Sequence, residues 1–138
     1  MDKLEKVLKW RVQLEKSSAQ ALAVCREQRE LAEAQQDELG RLELEYRRQY
    51  IEKKQSSSAA CQQFLRFYHQ LSQAVQAQQG VVQRLEAQES VQVQKYVVCH
   101  QDRRALEKLL QQREAAHKID VARKDRRSQR PGQTNPMV

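Results

Sequence analysis

The sequence predicts an all-α fold: a long two-helix antiparallel coiled-coil hairpin with a longer second helix and a disordered C-terminal tail. Three observations carry that reading. Ala, Leu, Glu, Gln, Lys and Arg make up most of the 138 residues, with three Gly and two Pro among them, and these six are the good helix formers. Apolar residues recur on a 3.5-residue period in two separate runs, which is the repeat of a coiled-coil seam. Between the runs stands QSSSAACQQFL, residues 55–65, where that beat is lost.

The first helix is expected over about 2–54. Alternating steps of three and four from Leu4 give Leu4, Val7, Arg11, Leu14, Ser18, Ala21, Cys25, Gln28, Ala32, Gln35, Leu39, Leu42 and Tyr46. Nine of these thirteen are apolar, enough for a seam, and Leu8, Leu22 and Leu31 widen the stripe. The turn is expected over about 55–59, because Ser hydroxyls compete for backbone groups and favour caps and turns over helix interiors. No Gly or Pro enforces the stop, so the competing reading is one unbroken helix with a polar patch.

The second helix is expected over about 60–127. Its row runs Cys61, Phe64, Tyr68, Leu71, Val75, Gln78, Val82, Leu85, Glu89, Gln92, Tyr96, Cys99, Arg103, Leu106 and Leu110. A short turn centred near 57 makes facing residues i and j sum to roughly 114. Leu4 then faces Leu110, and Leu39 faces Val75. Residues beyond about 113 have no partner and form an overhang. Pro131, Gly132 and Pro136 end helical structure, so the hairpin domain is 1–130 and a disordered tail follows at 131–138. Gly40 and Gly80 fall inside the helices as candidate bends. The seam glutamines Gln28, Gln35, Gln78 and Gln92 predict loose packing, since buried amides need partners.

Charge and composition narrow the function. Residues 1–54 carry 12 basic and 11 acidic groups, residues 55–100 carry 3 and 2, and residues 101–138 carry 10 and 5. The overall charge of +7 is therefore a property of the C-terminal end. No apolar run approaches the ~20 residues a membrane span needs, and no secretory signal pattern appears. A cytoplasmic protein is expected, with any membrane contact made only through partners. Cys25, Cys61 and Cys99 have no metal spacing and no facing cysteine, so free thiols are expected. No nucleophile–base pair, phosphate loop or carboxylate dyad stands out, and a thin helical pair offers little concavity. No catalytic residue, metal or cofactor is expected, and the chain is read as a non-enzyme.

Two surfaces remain as candidates for binding. Five of the seven aromatics, Tyr46, Tyr50, Phe64, Phe67 and Tyr68, lie close to the expected turn. Tyr46, Phe64 and Tyr68 sit on the seam. Phe67 sits off it and starts a row with Leu71, Ala74 and Gln78, which is either a flank of the core or a partner-binding face. The basic segment holding Lys118, Arg123, Lys124, Arg126 and Arg127 is either a solvated helix end suited to the helix dipole or a contact for an acidic partner. It has no aromatic to stack a base and no nucleic-acid-binding motif, so nucleic acid is not the expected partner.

These features resemble the flagellar export protein FliJ family. The resemblance is carried by LEKVLKWRVQLEKSSAQAL at the start, LELEYRRQY, QQFLRFYHQLSQAV and RRALEKLLQQRE, in that order across most of 1–127. It implies a non-catalytic component of the flagellar type III export apparatus with a long helical-hairpin fold. The implied partners are the hexameric export ATPase (FliI-like), whose ring assembly it promotes, the cytoplasmic domain of the export-gate protein (FlhA-like), and export chaperones. By local match the gate-binding residues are Tyr46, Tyr50, Phe67, Leu71 and Ala74. Gln78 stands where the family can have His, and Leu39 where it has Gln. The resemblance places the end with both termini in the ATPase ring, which here offers Leu4, Leu8, Arg11, Arg123, Lys124, Arg126 and Arg127. The chain is expected to be a monomer, peripherally associated with the inner-membrane apparatus. The residues alone leave open an equivalent component of a virulence secretion system and a generic coiled-coil adaptor.

Overall fold

In the computed structural model the described residues are 3–52 and 58–129. They form two helices, α1 (Lys3–Glu52) and α2 (Ser58–Ser128), with no strand among the described residues. This is the all-α, two-helix fold the sequence predicts, and α2 is the longer at 71 residues against 50. Most of the expected turn falls on 53–57 and the expected tail on 131–138, both outside the described residues. α2 opens at Ser58 rather than near residue 60. It closes at Ser128, where the Ser128 hydroxyl and the Gln129 N–H both donate to the Asp125 carbonyl, at 2.9 and 3.1 Å. Those bonds use a carbonyl that the end of a helix otherwise leaves unpaired.

The chain divides into two compact units. The middle unit is Ser18–Tyr96, and the terminal unit combines Met1–Ser17 with Val97–Val138. Within the middle unit the helices pair antiparallel. Arg26 meets Glu89, Ala32 meets Gln78, and Tyr50 meets Phe64. Within the terminal unit Arg11 meets Asp102 and Glu15 meets His100. Both sets follow the expected pairing sum. Residues 111–128 of α2 are helical and exposed throughout, as expected for a stretch that begins where α1 runs out of partners.

The core is thin. Leu22, Ala32 and Val82 are the buried hydrophobic residues among those described, at 7%, 4% and 6% exposure. Two helices share one narrow seam, so most seam side chains are covered on one side only. Gln78 is satisfied rather than orphaned: its amide donates to the Ala32 carbonyl at 3.0 Å and to Gln35 Oε1 at 3.3 Å.

The α2 row is half-buried or buried at all fifteen predicted positions. The α1 row needs a correction. Leu4, Arg11, Ser18, Cys25, Ala32, Leu39 and Tyr46 face inward as expected, but the alternate positions are Leu8, Glu15, Leu22, Arg29, Gln36, Glu43 and Tyr50. Val7, Gln28, Gln35 and Leu42 are exposed, whereas Leu14 and Ala21 of the predicted row stay half-buried beside the seam; Leu31 is exposed. The true seam spacing is four then three from Leu4. It was hidden because charged residues occupy Glu15, Arg29 and Glu43, while Val7, Leu14 and Leu42 supply apolar residues one position earlier.

Both helices run unbroken through their glycines. A Cβ added at Gly40 or Gly80 meets nothing within 4 Å, and neither glycine has a positive φ. Nothing in the fold requires glycine at these places, and glycine in a helix costs about 1 kcal/mol relative to Ala. Gly40→Ala and Gly80→Ala are each expected to stabilise the chain by about 0.5–1 kcal/mol, read as a higher urea midpoint at unchanged slope. A lower midpoint for either would mean that the glycine serves a bend or a close approach.

Candidate partner-binding sites

The aromatic cluster in the middle unit is built from one turn of α1 and one of α2. Tyr46 and Tyr50 stand four apart and so share a face. The Tyr46 ring stacks on Phe64 with centroids 4.3 Å apart and planes 14° apart. Tyr50 stacks on the same ring at 4.8 Å, and Phe67 meets Tyr46 at 4.7 Å with a 41° tilt. Offset and tilted contacts of this kind add about 0.5–1.5 kcal/mol each beyond the area they bury. Beside them the Tyr68 hydroxyl accepts from Arg47 Nη2 at 2.7 Å and donates to Glu43 at 3.3 Å, with the Arg47 guanidinium over its ring.

Of the five gate-side residues expected from the sequence, the structure brings Tyr46 and Phe67 into contact and joins Tyr50 through Phe64. Leu71 and Ala74 continue from Phe67 along α2, the first half-buried and the second exposed. Phe67 keeps 49% of its surface exposed even though its ring contacts Tyr46. It is therefore a core flank and an available aromatic face at once. The linking role of Phe64 follows from its seam position, but the exposed Leu65 beside it carries no signal in the periodicity.

The terminal unit treats its expected residues differently. Leu4 and Leu8 are half-buried in the seam. Arg11 is partnered twice, by Asp102 at 3.2 Å and by the Trp10 ring with its centroid 5.0 Å away. Arg123, Lys124, Arg126 and Arg127 are all exposed on α2. Lys124 lies 3.7 Å from Asp120, an exposed pair worth little. Arg126 and Arg127 occupy the last turn, where the helix dipole favours cations. The two groups are not one patch: Leu110 is the last α2 residue of the seam row, and Arg123 lies about 20 Å further along the helix axis.

Charged groups sit within the seam itself. In the terminal unit Glu15 accepts from His100 Nδ1 at 2.8 Å and from Arg103, which also binds Glu107. The Arg103 bond, then that of His100, holds the Glu15 carboxyl below its ordinary range, against the opposing effect of partial burial. The same bond to Glu15 raises Arg103. In the middle unit Glu89 takes Arg29 and, at 3.4 Å, Arg26, while Arg29 also reaches Glu33 at 3.1 Å. No buried side-chain nitrogen or oxygen among the described residues lacks a partner. Cys25, Cys61 and Cys99, all half-buried, form no disulfide among the described residues. Among the described residues no group of three His, Cys, Asp or Glu could hold a metal ion, and no helix is long and apolar enough to cross a membrane.

The model of the family described as Flagellar FliJ protein matches residues 1–128. Comparison with curated proteins and with solved structures returned no match.

The Glu15 cluster sets a pH dependence. Its folded form favours the carboxylate, so its contribution is complete above the ordinary carboxyl value of 4.5 and is lost as pH falls through the depressed folded value. Glu15→Gln is expected to cost about 1 kcal/mol at pH 7, the low end for a charge-assisted bond at a partly solvated site. Urea midpoints of the two proteins should converge as pH falls below the carboxyl range. A gap that stays constant into strong acid would show that the carboxylate charge is not what Arg103 and His100 recognise.

Proposed function

The chain belongs to the flagellar FliJ protein family, a component of the flagellar type III export apparatus, and from that premise we propose that it works as a non-catalytic coupling element within the apparatus. Its two units engage different partners. The middle unit binds the cytoplasmic domain of the export-gate protein through Tyr46, Tyr50, Phe67, Leu71 and Ala74. The terminal unit binds the hexameric export ATPase and promotes ring assembly through Leu4, Leu8, Arg11, Arg123, Lys124, Arg126 and Arg127. Export chaperones are handed on by the same protein.

The observation that supports this reading best is the half-exposed Phe67, its ring tilted against Tyr46. A large aromatic held in one orientation loses little entropy on binding and offers a wide apolar contact, which is what interface hot spots have in common. The basic extension supports the second contact in a different way. Residues 111–128 are helical yet exposed throughout, and a lone helix of this length is marginal in water. A partner that covers it and supplies acidic groups stabilises it. Leu4 and Leu8 enter less directly, since they face the seam and act by holding the base of the extension in place.

The two contacts are separable by mutation. Phe67→Ala with Tyr50→Ala is expected to weaken gate binding about tenfold or more while leaving stimulation of ATPase hydrolysis intact. Charge reversal of Arg123, Lys124, Arg126 and Arg127 is expected to do the opposite, with an effect that fades at high salt. Isothermal titration against the gate domain and a hydrolysis assay with the ATPase check both. Loss of the same partner in both variants would overturn the division of labour.

A further inference from the structure

The geometry points to a second binding face on the terminal unit, one that takes the surface of an anionic phospholipid bilayer. It goes beyond the docking reading above and does not depend on it, although Arg123 and Arg126 belong to both.

The face is defined by sidedness. Along α2, at 3.6 residues per turn, Val98, Leu109 and Ile119 fall within an arc of roughly 100° that also holds Lys108, Arg123 and Arg126. The acidic residues Glu107, Glu114 and Asp125 fall nearly opposite it. From α1, Trp10 joins the same flank. Its ring lies 5.0 Å from the Arg11 guanidinium, and that guanidinium is 3.2 Å from Asp102, which borders the arc. Val7 stands one turn before Trp10. Two aspartates, Asp102 and Asp120, border the arc at the same angle; the first pairs with Arg11 at 3.2 Å and the second with Lys124 at 3.7 Å.

All five apolar side chains of the face are 40–56% exposed. Lys3 and Lys6, on the outer side of α1 beside Trp10, are exposed as well. Val121 is also exposed, but it lies nearly opposite the arc, on the side of Glu107, Glu114 and Asp125.

Charge complementarity and relief together choose the occupant. Cations surround the apolar side chains, so the matching surface is anionic. The apolar groups stand singly, Val98, Leu109 and Ile119 being eleven and ten residues apart on α2, over about 31 Å of helix. A protein partner would need a matching row of separate pockets. A bilayer interface deforms around each side chain, takes Trp at the headgroup level, and lets Lys and Arg stems lie along it with their charges outward. Cations near an anionic leaflet add to that attraction.

Trp10 is the sole tryptophan, so its emission reports the contact directly. The full chain is titrated with vesicles of about 30% phosphatidylglycerol in phosphatidylcholine, and separately with phosphatidylcholine alone. Expected is a blue shift and co-sedimentation with the anionic vesicles only, weakened about tenfold or more when salt rises from roughly 0.05 to 0.5 M. Leu109→Glu with Ile119→Glu is expected to lower affinity about tenfold or more, whereas Val121→Glu changes it less than about twofold. Far-UV circular dichroism confirms that each variant keeps its helices. No shift and no sedimentation at low salt would overturn the proposal. So would equal binding to neutral vesicles, equal loss from the two flanks, or binding to polyglutamate without binding to vesicles, which would assign the face to an acidic protein.

Discussion

The structure depends on charged groups that take seats in a hydrophobic seam. The three buried hydrophobic side chains among the described residues cannot specify how two helices of 50 and 71 residues align. Hydrophobic contact is non-directional, and a seam of Leu, Val and Ala tolerates a slip of one heptad at small cost. Glu15, Arg29 and Glu43 do not tolerate it. Each occupies an inward position of α1 and finds its complement on α2, in Arg103 and His100, in Glu89, and in Tyr68. A slip of one heptad would put Leu110 or Tyr96 in the place of Arg103 opposite Glu15, and Tyr96 or Val82 in the place of Glu89 opposite Arg29. Polar residues at seam positions fix alignment while contributing little net stability, which suits a pair of helices that buries so little.

The same economy shapes the surfaces. A two-helix pair leaves most of each helix outside the seam, so exposed apolar residues are unavoidable and informative only where they gather. In the middle unit they gather beside the tyrosines, where stacking fixes Phe67 without hiding it. In the terminal unit they share one flank with cations, with Glu107, Glu114 and Asp125 nearly opposite and the bordering Asp102 and Asp120 paired with Arg11 and Lys124. Membership of an export-apparatus family is consistent with a helical pair whose surface features sit on separate stretches.

The fold was legible in the sequence because its signals are local. Helix formers, a 3.5-residue beat and a serine-rich interruption each report on a few neighbouring residues. The α2 row was readable in full, since Phe64, Leu71, Val82 and Leu85 mark it without rivals. Half of the α1 row was not, because Glu15, Arg29 and Glu43 look like surface residues until their partners are seen across the seam. The aromatic site was half legible. Spacing separated Phe67 from the seam, but its contact with Tyr46 depends on the pairing of two helices. The charged extension was visible as composition, whereas its distance from Leu4 and Leu8 follows only from where α1 begins. The sidedness of the terminal unit needed both the pairing and the Trp10–Arg11–Asp102 contacts.

Antiparallel pairing at this alignment is tested most directly in the middle unit. Nitroxide labels at Gln28 and Gln88, both exposed, in a chain diluted with unlabelled protein, report their separation by pulsed dipolar spectroscopy. Neighbouring helices 8–10 Å apart place the labels roughly 20 Å apart, allowing for the label arms. A continuous helix over the same 60 residues would place them about 90 Å apart. A single short distance that persists on dilution is the predicted result. A long distance, or a short one that disappears on dilution, would contradict the account.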